Sequence, residues 1–182
     1  IKAITDAVQK EGGVLLNWNE DVEQWQNRVL SLRKWNPQEG WPDVSMETLL
    51  LTNAEWLSPY LSNIKKPEAL KKINLKEILQ YSLPQELQKQ LNVLAPTKID
   101  VPSGSTIKLN YQTSGSDPIL AVRLQECFGL EETPTVNKGK INVLMHLLSP
   151  GYKVVQITDD LKSFWANAYF DVRKDLKGQY KR

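Results

Sequence analysis

The stretch TDDLKSFWANAYFDVRKDLKGQY, residues 158–180, has the clearest helical pattern in this sequence. Its apolar residues recur at the spacing of one helix face: Leu161, Phe164, Trp165, Ala168, Val172 and Leu176. Thr158 or Asp159 can cap the start of such a helix, and Gly178 can end it. We therefore predict one long amphipathic helix that closes the C-terminal half, with its apolar face on a core.

The composition is that of a soluble globular protein. With 182 residues, 41% of them hydrophobic, the chain can build one good core or two small ones. No apolar run approaches the roughly 20 residues of a membrane span, and the start IKAITDAVQK lacks the order of a signal peptide. We predict a cytoplasmic protein. Because the chain begins at Ile1 and stops at Arg182, we also expect a segment of a longer protein.

Residues 1–95 are predicted to form a helical subdomain. The patterns predict helices over 1–11, ended by Gly12–Gly13, and over 20–35, capped by Asn19. A loop with Pro37, Gly40 and Pro42 precedes a helix that Asp43 or Ser45 can cap and that carries Leu49, Leu50 and Trp56. Shorter helical pieces follow at 67–72 and 74–81, and Ser82 with Gln85 forms a capping-box pair that opens a helix over 83–94.

Residues 96–182 are predicted to form a β-rich subdomain. Apolar residues alternate with polar ones on both sides of the turn PSGS, and this period predicts a β-hairpin with one buried face; the apolar residues are Ile99, Val101, Ile107, Leu109 and Tyr111. We then expect a helix over 118–128, capped by Asp117 and ended by Gly129, a turn at 137–140, and strands over 141–148 and 153–158. The predicted fold class is α+β: a helical N-terminal half, then a small, mainly antiparallel sheet or partly open barrel with a long C-terminal helix.

Few residues suggest catalysis. The chain has no GxxxxGK[ST] phosphate loop, GxSxG elbow or HExxH helix. The carboxylate pairs Glu131–Glu132 and Asp159–Asp160 lie where a predicted helix or strand begins or ends, and the helix dipole already favours acidic residues at a helix N-terminus. The lone Cys127 excludes an internal disulfide, and with a single His146 there is no zinc-ligand cluster. We interpret both as structural residues, and we predict no catalytic residue, metal or cofactor in this segment.

The basic residues are better candidates for function. Residues 97–182 hold 12 basic and 9 acidic side chains, and 171–182 alone hold five and two. Cations with an aromatic can hold a phosphate backbone and stack a base. The nucleic-acid-binding candidates are Arg123, Lys138, Lys140, Arg173, Lys174, Lys177, Tyr180, Lys181 and Arg182. The alternative is that basic residues at a helix C-terminus only offset the helix dipole.

A family resemblance covers nearly the whole chain. The stretches that carry it are LAPTKIDVPSGSTIKLNY (94–111), LAVRLQECFGL (120–130), HLLSP (146–150), VVQITDDLKSFW (154–165) and YFDVRKDLKGQY (169–180). WPDVS (41–45) and EWLSPYL (55–61) extend the match upstream. In this order they strongly resemble the C-terminal domain of the bacterial HrpB-type ATP-dependent helicases, of the DEAH-box class. Lys153–Val154 departs from the family, which usually has a basic–proline pair before VQ.

The resemblance implies a parent enzyme that hydrolyses ATP with Mg²⁺ in two upstream RecA-like lobes and acts on RNA or DNA. The implied partners of this segment are those lobes of the same chain, single-stranded nucleic acid and a possible protein partner. Three hypotheses follow: an accessory domain that holds single-stranded RNA, a docking module that uses a Trp/Leu surface at 41–61, or an independent enzyme. The last is disfavoured because no convergent titratable groups are visible.

Overall fold

The computed structural model describes residues 1–179 and all their side chains except that of Gln179. Two compact units divide the chain: residues 1–92 with 113–115 form unit 1, and 93–112 with the remainder from 116 form unit 2. No helix in the described range is both long enough and apolar enough to cross a membrane. Helices come first and small sheets second, which confirms the predicted α+β class. The sheets described do not close into a barrel.

Unit 1 is helical. The helices over residues 2–94 are α1 Lys2–Leu15, α2 Glu20–Trp35, α3 Met46–Leu51, α4 Asn53–Trp56, α5 Leu75–Ser82 and α6 Gln85–Leu94. Short 3₁₀ helices at Ser58–Tyr60 and Pro67–Lys72 connect α4 to α5. The buried apolar side chains include Val8 of α1, Trp25 and Leu32 of α2, and Leu79 of α5, so each of these three helices buries an apolar face.

The predicted capping residues are observed at the starts of two of these helices. Asn19 Oδ1 accepts a hydrogen bond from Val22 N at 2.9 Å, which confirms the predicted cap of α2. Ser45 caps α3 through Thr48 N, while Asp43 accepts from Ser45 N and from Thr48 Oγ1. The predicted helix carrying Leu49, Leu50 and Trp56 is therefore correctly capped, although it breaks at Thr52 into α3 and α4.

One prediction in unit 1 is right only in part, and another is wrong. The first helical segment is interrupted at Glu11, which has non-helical dihedral angles of φ −131° and ψ 18°, but a second helical segment then continues through Gly12 and Gly13 to Leu15. Gly12 is buried against the side chain of Leu50, and a Cβ at this position would overlap that side chain. This glycine therefore permits close helix packing. The Ser82–Gln85 capping box is wrong, since Ser82 Oγ donates to Leu79 O at 2.6 Å and so belongs to the end of α5.

The described part of unit 2 contains three small sheets, a 3₁₀ helix at Leu124–Cys127 and two α-helices. The strands are β1 Lys98–Asp100, β2 Thr106–Lys108, β3 Ile119–Arg123, β4 Thr135–Val136, β5 Ile141–Asn142, β6 Leu144–Leu148 and β7 Val154–Thr158, followed by α7 Leu161–Ala166 and α8 Ala168–Gln179. β1 and β2 form the predicted antiparallel hairpin, with Ile99 opposite Ile107. β4 and β5 form a second hairpin. β6 lies between β3, which is parallel to it, and β7, which is antiparallel.

The predicted helix over 118–128 is wrong. Residues 119–123 form strand β3, and only Leu124–Cys127 is helical, as a 3₁₀ turn. Leu120 and Val122 are buried, whereas Ala121 between them is exposed, which is the alternation of a strand. The predicted strand 141–148 is divided at Val143, so that β5 pairs with β4 and β6 pairs with β3 and β7.

The single long C-terminal helix is also wrong. Asn167 has non-helical dihedral angles of φ −128° and ψ −77°, and it separates α7 from α8. The cap of α7 is Asp160, which accepts from Ser163 N at 3.0 Å, and neither Thr158 nor Asp159 has that role. Gly178 lies within α8, which continues to Gln179. Leu161 and Phe164 are nevertheless buried, as the apolar stripe predicts.

A candidate nucleic-acid interface

Unit 2 carries a cluster of aromatic rings that we call the aromatic cluster: Phe128, Phe164, Trp165, Tyr169 and Phe170. Trp165 and Tyr169 lie at its centre, with ring centroids 5.1 Å apart. Phe128 packs 6.0 Å from Trp165 and 6.2 Å from Tyr169, with its ring nearly perpendicular to that of Tyr169. These separations and angles are those at which aromatic pairs attract each other.

The cluster has a buried base and an exposed edge. Phe164 is 2% exposed, whereas Phe128 is 51% exposed and Phe170 62% exposed. A single exposed ring is ordinary on a protein surface, whereas exposed rings that belong to one cluster form an apolar patch of the kind that marks interaction sites. The exposed edge therefore offers flat apolar faces to a partner.

Three local features hold the cluster together. The break at Asn167 ends α7, so that Trp165 and Tyr169 lie on different helices. Trp165 Nε1 donates to Leu130 O at 2.7 Å, which ties α7 to the segment that carries Phe128. Gly129 has φ +97°, a left-handed conformation that turns the chain directly after Phe128.

Two grooves border the cluster and share Phe128 and Tyr169. The first groove, of about 660 Å³, is lined by Leu124, Gln125, Phe128, Pro150, Tyr169, Arg173, Leu176 and Lys177. The second groove, of about 430 Å³, is lined by Phe128, Gly129, Leu130, Glu131, Trp165, Tyr169 and Phe170. Arg173 and Lys177 thus line only the first groove. The rings of Phe128 and Tyr169 line both grooves.

The structure brings two of the predicted cations together. Arg173 and Lys177 lie four residues apart on α8, Arg173 one turn beyond Tyr169 and Lys177 one turn further, and both are exposed. Lys174 is exposed on the same helix but lines neither groove. Tyr180, Lys181 and Arg182 lie outside the residues that the structure describes.

Arg123 already has partners. Its Nε lies 3.5 Å from Glu126 Oε2, and its guanidinium carbon lies 5.1 Å from the centroid of the Tyr152 ring. Glu126 is held ionised because a hydrogen bond from Ser105, and secondarily the charge of Arg123, lowers its pKa. We infer that Arg123 mainly orders the end of β3. Because the Glu126 carboxylate offsets its positive charge, Arg123 should attract a phosphate less strongly than Arg173 or Lys177 does.

Lys138 and Lys140 lie on the tight turn between β4 and β5. Asn137, Lys138 and Gly139 all have positive φ, which confirms the predicted turn. Both lysines are exposed, and neither lines a groove of the aromatic cluster. Their role in binding stays a prediction.

The two residues interpreted as structural have unremarkable surroundings. Cys127 is fully buried, and burial, followed by the nearby Glu126 carboxylate, raises its pKa to about 11. His146 is half-buried on β6, opposite Ala121 and Ile157. Among the described residues, no group of three His, Cys, Asp or Glu side chains could hold a metal ion.

Sequence reasoning missed the aromatic residues. A helix over 118–128 assigns Phe128 to a buried face with Leu124, and an unbroken final helix places Trp165 on the core stripe. The available signal was the density of rings in FWANAYF, residues 164–170, together with Phe128 just before a glycine.

Comparisons with known proteins agree with the resemblance seen in the sequence. The family model described as "ATP-dependent helicase C-terminal" matches residues 56–182. The Escherichia coli (strain K12) protein named ATP-dependent RNA helicase HrpB is 36% identical over 179 residues, which are 98% of this chain and 22% of that protein. This chain therefore spans about a fifth of the length of that relative.

Solved structures match equally well. A crystal structure of the E. coli DExH-box NTPase HrpB superposes with a TM-score of 0.91 at 36% identity, over 97% of this chain and 22% of that one. A second, described as the E. coli DEAH/RHA helicase HrpB, gives a TM-score of 0.84 at 34% identity, over 100% and 23%. The chain belongs to the family of C-terminal domains of HrpB-type ATP-dependent helicases.

Proposed function

We propose that this chain is an accessory domain of a longer DEAH-box helicase and that it helps to hold single-stranded RNA. The observation that carries the proposal is the aromatic cluster, whose exposed Phe128 ring lines a groove together with Arg173 and Lys177. The ATP and Mg²⁺ of such a helicase would bind in lobes outside residues 1–182, and the site of action would be the cytoplasm. On this proposal, the domain itself catalyses no reaction.

The chemistry of the cluster suits a single strand. A ring face stacks on any base, at about 1–3 kcal/mol per base, but only where the base is not already stacked in a duplex. Arg173 and Lys177 can contact the phosphates on either side, an interaction that carries no sequence information. We therefore expect binding that prefers single strands, tolerates any sequence and weakens with salt.

The docking-module alternative depended on an apolar surface at 41–61. Trp41, Leu49 and Leu57 are buried in unit 1, so most of that surface belongs to the core. Met46, Leu51 and Tyr60 remain exposed in this range. This arrangement does not favour docking there, and the alternative remains an outcome of the binding test.

The test is fluorescence anisotropy of a short labelled single-stranded RNA across a salt series, with a duplex and a DNA strand for comparison. We expect the variant with both Arg173→Ala and Lys177→Ala to bind more weakly at low salt. Its plot of log affinity against log salt should be shallower by roughly 1.4, about 0.7 for each lost contact.

Lys174→Ala is the control, because it removes a positive charge from the same helix without touching the first groove, whereas the double variant removes two. It should leave the salt slope nearly unchanged. Equal slopes for the double variant and the unaltered chain would contradict a role for the groove. The absence of RNA binding at low salt would redirect the search to a protein partner.

A further inference from the structure

Helix α1 carries a second apolar face besides the one that packs into unit 1. Thr5, Val8 and Gly12 on the packed face are buried. A separate groove of about 340 Å³ runs along the same helix, and its α1 residues are Ala3, Ile4, Ala7, Glu11 and Leu15. These five positions lie on one side of a helix with 3.6 residues per turn. Ile4, Ala7 and Leu15 remain half-buried, so unit 1 itself covers this face only in part.

The opposite wall of the groove is cationic. It consists of Lys65, Lys66, Pro67 and Leu70, of which Leu70 is only 2% exposed. Both lysines are exposed, and neither forms an ion pair with a described residue. Residues 65–77 together hold five lysines and two glutamates. The groove therefore joins an aliphatic interior to an edge with a net positive charge that no described carboxylate pairs with.

These walls fit one kind of ligand better than the alternatives. None of the described lining residues is aromatic, so the groove offers a base no ring on which to stack. An extended peptide that adds to a sheet needs a free strand edge, and the described residues of unit 1 include no strand. An amphipathic helix needs neither, because it binds by laying its apolar residues into an apolar groove.

The dimensions of the groove also suit a helix. Its α1 residues extend from Ala3 to Leu15, which is roughly 18 Å along the axis and equals about three turns of a bound helix. Ala3 and Ala7 are small, and small side chains at a contact allow two helices to pack closely. Acidic residues on such a helix would complement the exposed charges of Lys65 and Lys66.

We propose that this groove binds an acidic amphipathic helix of a partner protein. Apolar side chains of that helix at i, i+3 or i+4, and i+7 occupy the space beside Ala3, Ala7 and Leu70, and its acidic side chains face Lys65 and Lys66. The proposal concerns a surface of unit 1 outside residues 41–61, and it does not depend on RNA binding by the aromatic cluster.

The experiment begins with a selection of phage-displayed peptides on the 182-residue chain. The peptides have about 16 residues, enough for about four helical turns. Counter-selection uses the variant with Ala3→Gln and Ala7→Gln, which fills the groove without changing charge and keeps a good helix former at both positions. We expect peptides that bind only the unaltered groove and that combine apolar residues at helical spacing with acidic residues. The urea midpoint of the variant should stay nearly unchanged, which shows that it folds.

Fluorescence anisotropy of the strongest selected peptide then tests the lysines. The variant with Lys65→Gln and Lys66→Gln should bind it about fivefold more weakly at low salt, because two exposed ion pairs are lost. This difference should disappear at about 1 M salt, where charges are screened beyond about 3 Å. Lys71→Gln with Lys72→Gln is the matched control: it removes two adjacent lysines from the same segment, but neither lines the groove, so the loss should be much smaller.

Three results would overturn the proposal. The first is a selection in which every enriched peptide also binds the filled groove, and the second is an equal loss of affinity for the two lysine pairs. The third is a loss of single-stranded RNA binding in the variant with Lys65→Gln and Lys66→Gln as large as that from Arg173→Ala with Lys177→Ala, which would assign these lysines to a nucleic-acid surface. Failure of the RNA assay alone leaves this proposal standing, because the peptide assay contains no RNA.

Discussion

The two adjacent glycines of α1 give a sharp test of the packing in unit 1. A Cβ at Gly12 would overlap the side chain of Leu50 and lie 3.1 Å from Val8 Cγ1, whereas a Cβ at Gly13 would meet Met46 Sδ at 3.6 Å, an ordinary contact. Both substitutions by Ala gain about 0.5–1 kcal/mol because glycine is the less favourable residue in a helix. Gly12→Ala also overpacks the contact with Leu50, at a cost of about 1–3 kcal/mol.

The difference between the two variants isolates the overlap, because the helix preference cancels. We expect Gly13→Ala to be more stable than Gly12→Ala by about 1–3 kcal/mol in free energy of unfolding. Urea titration followed by tryptophan fluorescence measures this value, and five of the six tryptophans lie in residues 1–56 and so report on unit 1. The m-value should not change, which would show that the native and denatured states are otherwise alike.

The same substitution in a Leu50→Ala variant tests whether Leu50 causes this difference. With Leu50→Ala present, the overlap with Leu50 disappears and only the close contact with Val8 Cγ1 remains, so adding Gly12→Ala should be about 1–3 kcal/mol less destabilising than it is in the unaltered chain. If Gly12→Ala and Gly13→Ala shift the urea midpoint equally, or if Leu50→Ala gives no rescue, Gly12 is not needed for close packing.

Three further predictions concern the reactivity of a thiol, the stability of the chain in acid and the capping of a helix. Cys127 should resist alkylation at pH 8 in the native state and react rapidly in urea, because it is buried and its pKa is raised to about 11; fast native labelling would contradict this. The pKa of Asp43 is lowered chiefly by the Ser45 backbone N–H, so its stabilising contribution is present above the unfolded pKa and is lost as the pH falls through the folded pKa. Asp43→Asn should therefore reduce the loss of stability between about pH 5 and 3, measured by urea titration, and an unchanged acid slope would refute this. Asn19→Ala should lower stability by about 1 kcal/mol through the lost bond to Val22 N, whereas Asn19→Ser should retain most of it.

The sequence was sufficient to predict those elements whose stabilising contacts join residues close together in the chain. Asn19 marks the start of α2 because its side chain bonds three residues ahead, and Ile99 faces Ile107 because a short turn joins their strands. The segment 118–128 shows the opposite case. Its apolar spacing and its flanking Asp117 and Gly129 suit a helix, but pairing with β6, more than 20 residues away in sequence, makes 119–123 a strand. That pairing has no local signature.

The candidate site was predictable only in part. The charge of Arg173 and Lys177 is visible in the sequence, and their spacing places them on one helix face. Their neighbours are not visible, because Phe128 reaches Trp165 only through the turn at Gly129 and the bond from Trp165 to Leu130 O. The packing role of Gly12 was not visible for a similar reason, since its contact is Leu50 on another helix.

The measurement that tests the central claim most directly is the affinity of Phe128→Ala for single-stranded RNA across the same salt series. Phe128 is half-exposed and shared by both grooves, so its removal takes away a stacking face without changing charge. We predict that binding weakens by about 1–3 kcal/mol at every salt concentration, with an unchanged salt slope. An affinity equal to that of the unaltered chain would contradict the aromatic cluster as the RNA-binding surface.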